Sequence, residues 1–171
     1  FTEEAFASYL SSLRSDGALI LTRRLMTPPA DSLRLLATIR RVFSSLGLGS
    51  LRAHLAMARS WDAVTIIVSR SPLGGRRLAR LKELSWGRNF DLVYYPGMPR
   101  AEANRHMVLQ EPYYFEAVRS VLAEDGGRFL RSYLLDIAPR SDDRPYHNHF
   151  LRWDRLGELL RGMESRFFAL A

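Results

Sequence analysis

Apolar residues recur along this chain in two rhythms, one of helices and one of strands, and their alternation predicts the order of elements. Phe6, Tyr9, Leu10 and Leu13 fall three and four apart behind Thr2, a good N-cap, with Glu3 and Glu4 in the first turn where the helix dipole favours anions. Asp16-Gly17 stops this helix. Ala18–Thr22 is short and nearly all apolar, the pattern of a strand buried on both sides. After Pro28-Pro29, Asp31 is placed to cap a second helix. Leu35, Leu36, Ile39, Val42, Phe43 and Leu46 form its inward stripe, and Gly47 is its natural C′ residue. His54–Ala58 and Ala63–Ser69 read as two strands joined by a turn near Ser60–Asp62. So short a connection makes the pair antiparallel.

Beyond Ser71-Pro72, Gly75–Arg88 carries Leu78, Leu81, Leu84 and Ser85 on one helical face. Asp91–Tyr95 predicts another strand, ended by Pro96-Gly97, and Met98–Gln110 has no period and reads as a long loop. Pro112–Ala123 is helical, with Phe115, Val118, Val121 and Leu122 available to pack. Gly126-Gly127 breaks it, and a short helical piece follows at Arg128–Tyr133. A polar and aromatic segment, Asp136–Trp153, leads into a last helix over Asp154–Ala169 with Leu156, Leu159, Leu160, Met163 and Phe167 inward. The alternation predicts a single layered α/β domain over 1–171, with a mixed sheet of about four strands, a late antiparallel hairpin and helices on both faces.

Composition narrows the chemistry. The 171 residues suffice for one domain with its own core, and the absence of cysteine excludes disulfides and thiolate chemistry. No apolar run approaches the ~18 residues of a membrane span. The net charge of +7 suggests an anionic partner, but Lys82 is the only lysine among 25 Lys+Arg residues, the skew of a GC-rich coding sequence. The arginines are spread along the chain without interleaved aromatics, which argues against a nucleic-acid partner.

Specific residues then carry a resemblance. Phe1-Thr2-Glu3-Glu4, Phe6, Tyr9-Leu10, Leu13 and Asp16-Gly17, followed by an apolar strand and a hairpin, resemble the second half of a class I S-adenosylmethionine-dependent methyltransferase fold of the spermidine-synthase-like branch. On that resemblance residues 1–70 are the second half of a Rossmann-like, methyltransferase-type sheet, and residues 71–171 are a family-specific extension. Phe90–Gly97, Ser141-Asp142-Asp143-Arg144-Pro145-Tyr146 and Phe150-Leu151-Arg152-Trp153 resemble a bacterial group in which such a domain is carried by a large polytopic membrane protein. The resemblance implies an N-terminal half holding the glycine-rich loop and acidic residues for S-adenosylmethionine or its decarboxylated form. It also implies flanking transmembrane helices and a position on the cytoplasmic face of the inner membrane. The parent is then a methyl- or aminopropyltransferase, while this part, a truncated fragment of it, is expected neither to bind that cofactor tightly nor to catalyse alone. The alternative is a non-catalytic module binding a ligand or partner. An exposed sheet edge, where further strands would pair, invites a homodimer.

Several residues are candidates for chemistry. His147 and His149 flank Asn148, so in an extended segment both point to one face, and with Asp142 and Asp143 they suggest a His/carboxylate metal site. The opposing reading is a packed aromatic edge. Asp142 and Asp143 suggest paired catalytic acids; the opposing reading is a turn, with Pro145 setting φ and Arg144 pairing to a carboxylate or backbone. Arg152 and Trp153 suggest a stacking surface for a ligand, against Trp153 as a core anchor ahead of the last helix. Gly74-Gly75 lacks the spacing of a dinucleotide loop, and the serine pairs lack a nucleophile-elbow context.

Overall fold

The computed structural model describes residues 1–165. Its elements are α1 (Glu3–Ser12), β1 (Ala18–Arg24), α2 (Asp31–Ser45), β2 (Leu55–Arg59), β3 (Ala63–Ser69), α3 (Gly75–Gly87), β4 (Asp91–Tyr94), α4 (Tyr113–Leu122), α5 (Gly126–Ser132) and α6 (Leu156–Ser165). The four strands form one sheet in the order β1-β3-β2-β4. Every pairing among them is antiparallel, which corrects the expectation of a mixed sheet. The β2–β3 hairpin is as predicted. β3 also pairs along its full length with β1, from Ala18 opposite Ser69 to Arg24 opposite Ala63.

Alternation along the strands divides the core between two faces. Leu55 and Met57 of β2 and Val64, Ile66 and Val68 of β3 face α1, α2 and α4 and build the larger core with Phe6, Leu36 and Phe43. Ala56, Ile67 and Leu92 face the other way, against Leu78 and Leu81 of α3. Helices therefore lie on both faces, as expected. α2 packs between α1 and α4. Its first nine residues are all buried, so its apolar stripe is embedded in a helix covered on most sides.

Several local expectations are corrected. β1 is an edge strand that alternates between half-buried and exposed residues, with Ile20 62% exposed, rather than a strand buried on both sides. Asp31 begins α2 without capping it; Ala30 holds the N-cap position. Gly126 and Gly127 open α5 instead of interrupting the chain. In α6, Leu160 is exposed, and Met163 and Phe167 lie outside the described side chains. Thr2 does cap α1, its hydroxyl accepting from the Ala5 N–H at 3.4 Å. Gly47 ends α2 with φ +63°, a left-handed conformation in which a Cβ is strained.

β4 closes the far side of the sheet, and all four of its residues are buried. The loop after it is drawn in by one carboxylate. Asp91 accepts the backbone N–H groups of Arg105, His106 and Met107 at 2.7, 2.9 and 2.9 Å. Arg59 of β2 meets the same carboxylate at 2.9 Å and donates to the Asn104 side chain and the Met107 carbonyl. Burial alone would raise the Asp91 carboxyl, but these N–H donors and Arg59 hold it below its ordinary value.

Candidate functional site

The candidate residues between 136 and 153 lie on a strap that crosses the N-terminal half of α2. The strap has no regular structure through residue 152, so its backbone groups need partners from elsewhere. Arg34 supplies them. Its side chain is fully buried, and its two terminal nitrogens donate to the carbonyls of His147, Asp136 and, at 2.8 Å, His149. The guanidinium also stacks over the Phe150 ring at 4.4 Å and lies 3.6 Å from the Asp136 carboxylate. Burial and the nearby Arg140 charge lower its pKa to about 10, which leaves it charged at neutral pH. Arg140 in turn pairs with Asp136 at 2.6 Å, fastening the start of the strap.

A second anchor lies beside the first. Asp31 Oδ1 meets His147 Nε2 at 2.5 Å, and Asp31 Oδ2 accepts from Arg23 at 2.5 Å. Burial pushes the Asp31 carboxyl up, and the hydrogen bonds to His147 and Arg23 outweigh it and hold the group below its ordinary value. Phe1 closes the cluster, its ring set edge-on to His147 at 5.4 Å and beneath the Arg23 guanidinium.

This geometry decides among the sequence readings. His147 is buried and His149 exposed, so they do not share a face; the strap turns at His147-Asn148 instead of running extended. Among the described residues no group of three His, Cys, Asp or Glu side chains could hold a metal. Asp142 and Asp143 are exposed within a turn closed by the Arg144 N–H to the Ser141 carbonyl at 3.0 Å, and the Asp142 N–H bonds Glu4. This is the turn reading, apart from Arg144, whose guanidinium pairs with no carboxylate among the described residues. Trp153 is 74% exposed, which overturns the core-anchor expectation. Arg152 pairs with Asp154 at 2.8 Å and donates to the carbonyls of Arg131 and Tyr133, fixing the end of the strap to α5.

The Asp31–His147 contact has the form of a carboxylate orienting an imidazole. A nucleophile would have to sit on the other ring nitrogen, and His147 Nδ1 is buried without a hydrogen-bond partner among the described residues. The pair therefore fastens the strap. Asp31, Arg34, Arg59 and Asp91 were not singled out as site residues from sequence. The available signal was a charge inside an otherwise apolar run, as at Arg34 within Leu33–Ile39 and Asp91 ahead of Leu92–Tyr95.

No helix among the described residues is long and apolar enough to cross a membrane. Gly74 is the N-cap of α3, with Gly75 in its first turn. Comparison with protein-family models, curated proteins and solved structures returned no match.

Proposed function

We propose that this chain is the supporting end of a methyltransferase-type, spermidine-synthase-like domain, and that its part in an S-adenosylmethionine-dependent transferase is to build a wall of the acceptor pocket without supplying chemistry. The observation that carries this reading is the open edge of β1. The Arg70 N–H bonds the Gly17 carbonyl at 2.9 Å, and the Leu25 N–H bonds the Asp62 carbonyl at 2.6 Å. Antiparallel pairs alternate between bonded and unbonded. Odd-numbered residues of β1 therefore bond β3, and Ala18, Ile20, Thr22 and Arg24 turn their backbone N–H and C=O groups outward. A methyltransferase-type sheet needs such an edge, because there its final hairpin lies antiparallel beside the fifth strand and the cofactor-binding half joins on the other side.

On this reading α1 and β1 are the helix after strand four and the fifth strand, and β2 and β3 are the closing hairpin. The buried carboxylates Asp31 and Asp91 and the half-buried Asp136 are each held by arginine, which supports a role in architecture. Carriage by a polytopic membrane protein, on its cytoplasmic face, belongs to the same proposal, as does pairing of two copies along β1 where no other strand occupies it. Calorimetric titration with S-adenosylmethionine and with its decarboxylated form tests the reading. The expected result is no heat of binding from this chain and one-site binding once the half implied upstream is included. One-site binding by this chain alone would overturn it. Absence of binding by the longer chain would favour the non-catalytic module.

A further inference from the structure

Most arginines near the core of this protein are committed. Arg23, Arg34 and Arg59 hold carboxylates or carbonyls, and Arg40 donates to the Val121 and Ala123 carbonyls at the end of α4. Arg52 and Arg119 are different. Arg52 belongs to the 3-10 turn Leu51–Ala53 that leads into β2, and Arg119 to the last turn of α4. Both are exposed, and among the described residues neither guanidinium meets a carboxylate or a carbonyl.

They converge on one hollow of about 380 Å³, lined also by Arg100, Phe115, Glu116 and Ser120. That volume lies in the range of small-molecule sites. Arg119 lies over the Phe115 ring at 5.4 Å. Such stacking uses the flat face of a guanidinium and leaves its in-plane N–H donors free. Arg100 is already neutralised, by Glu116 at 2.8 Å and Glu111 at 3.7 Å. The Ser120 hydroxyl donates to the Glu116 carbonyl at 3.0 Å. Burial raises the Tyr94 phenol, and a hydrogen bond to the Arg52 side chain together with the Arg52 and Arg119 charges opposes the rise. The Arg52 carbonyl accepts from that phenol at 3.1 Å.

We propose that this hollow binds the phosphate group of a phosphomonoester, with Arg52 and Arg119 as its two cationic forks. A phosphate dianion carries two charges and three terminal oxygens, enough to engage both guanidiniums, whereas one carboxylate saturates a single fork. The remaining space takes the body of a small phosphorylated molecule or the glycerol of a lipid headgroup. The site is independent of the methyltransferase-type reading, because neither arginine belongs to the strap or to the β1 edge.

The test follows the arginine Nε–H resonances while glycerol 3-phosphate is titrated into the protein, in parallel with cosedimentation on vesicles of phosphatidylcholine with and without phosphatidic acid. Arg52→Gln, Arg119→Gln and the double variant are compared with Arg88→Gln, which removes an exposed charge at the end of α3. Saturable shifts at the Arg52 and Arg119 Nε–H resonances of the unsubstituted protein, with the affinity read from the backbone amides of Ala53 and Ser120 falling at least tenfold in the double variant and unchanged in Arg88→Gln, establish the site. Retention on phosphatidic acid vesicles with the same variant dependence assigns the phosphate to a lipid; titration without retention assigns it to a soluble ligand. Neither response, or shifts spread evenly over all arginines and insensitive to the double variant, overturns the proposal. Thermal melts of the variants check that both substitutions leave the fold intact.

Discussion

Replacing Arg34 with methionine should unfasten the strap, and the size of the effect follows from what the side chain holds. Methionine approximates the length of the stem, so little volume is lost. What disappears is a charged donor serving the carbonyls of His147, Asp136 and His149. Hydrogen bonds to a charged group contribute about 1.5–3 kcal/mol each. Against this stands the desolvation of a fully buried guanidinium, several kcal/mol in effect, together with its buried Nε, which has no partner among the described residues. The opposing contributions leave a net loss of about 3 kcal/mol, near the lower end for breaking a buried charged cluster. For a chain of this size that lowers the melting temperature by roughly 6–12 °C. Urea unfolding measures the loss, and hydrogen exchange locates it: amides of residues 136–150 should exchange faster while those of β2 and β3 keep their order of protection. Arg34→Lys should be little better, since one ammonium cannot span three carbonyls. A loss below about 1 kcal/mol, or unchanged exchange in the strap, would refute the reasoning.

Three further outcomes follow from the same structure. Asp31, Asp91 and Asp136 are held below the ordinary carboxyl value of 3.8. Their contribution to stability is fully present above that value and is lost as pH falls through their folded-state values, so the urea midpoint should be steady from pH 7 to about 5 and drop below about 4; a midpoint unchanged down to pH 3 would contradict the assignment. A double-mutant cycle between Asp31→Asn and His147→Gln should give a coupling of about 1–2 kcal/mol, and additivity within about 0.3 kcal/mol would remove the pair as a fastening. Asp142→Asn and Asp143→Asn should each change stability by less than about 0.5 kcal/mol, as exposed turn residues do, and a larger loss in urea unfolding would mean that the turn carries more than its own geometry.

Much of the element order was legible from periodicity, because helices and strands space their apolar residues differently. The hairpin was clearest: Val64-Thr65-Ile66-Ile67-Val68 is β-branched throughout, and its turn is too short for a crossover. What periodicity does not encode is which strand lies beside which. Thus β1, apolar at four of its first five residues, reads as buried on both sides although it lies at an edge. The candidate residues divided in the same way. Asp142, Asp143, His147 and His149 were visible because acids and histidines cluster in sequence, but their surroundings depend on α2 and α1, more than a hundred residues away. Of the partners that settle the matter, Asp31 reads as a helix cap and Arg34 looks like a residue of a polar face. Trp153 misled for the opposite reason: a large aromatic ring is ordinarily worth burying, and nothing local reveals that its neighbours leave it outside.

The Asp91 cluster gives the sheet a direction. It ties the loop at 105–107 to the start of β4, whose four residues are all buried, while β1 on the other flank alternates between half-buried and exposed residues. The sheet thus has a covered end and an exposed end. A strand that joins it along β1, whether from the same polypeptide or from another copy, meets an exposed edge. Addition there, parallel or antiparallel, would set the newcomer beside β1 and leave the order β1-β3-β2-β4 as it stands.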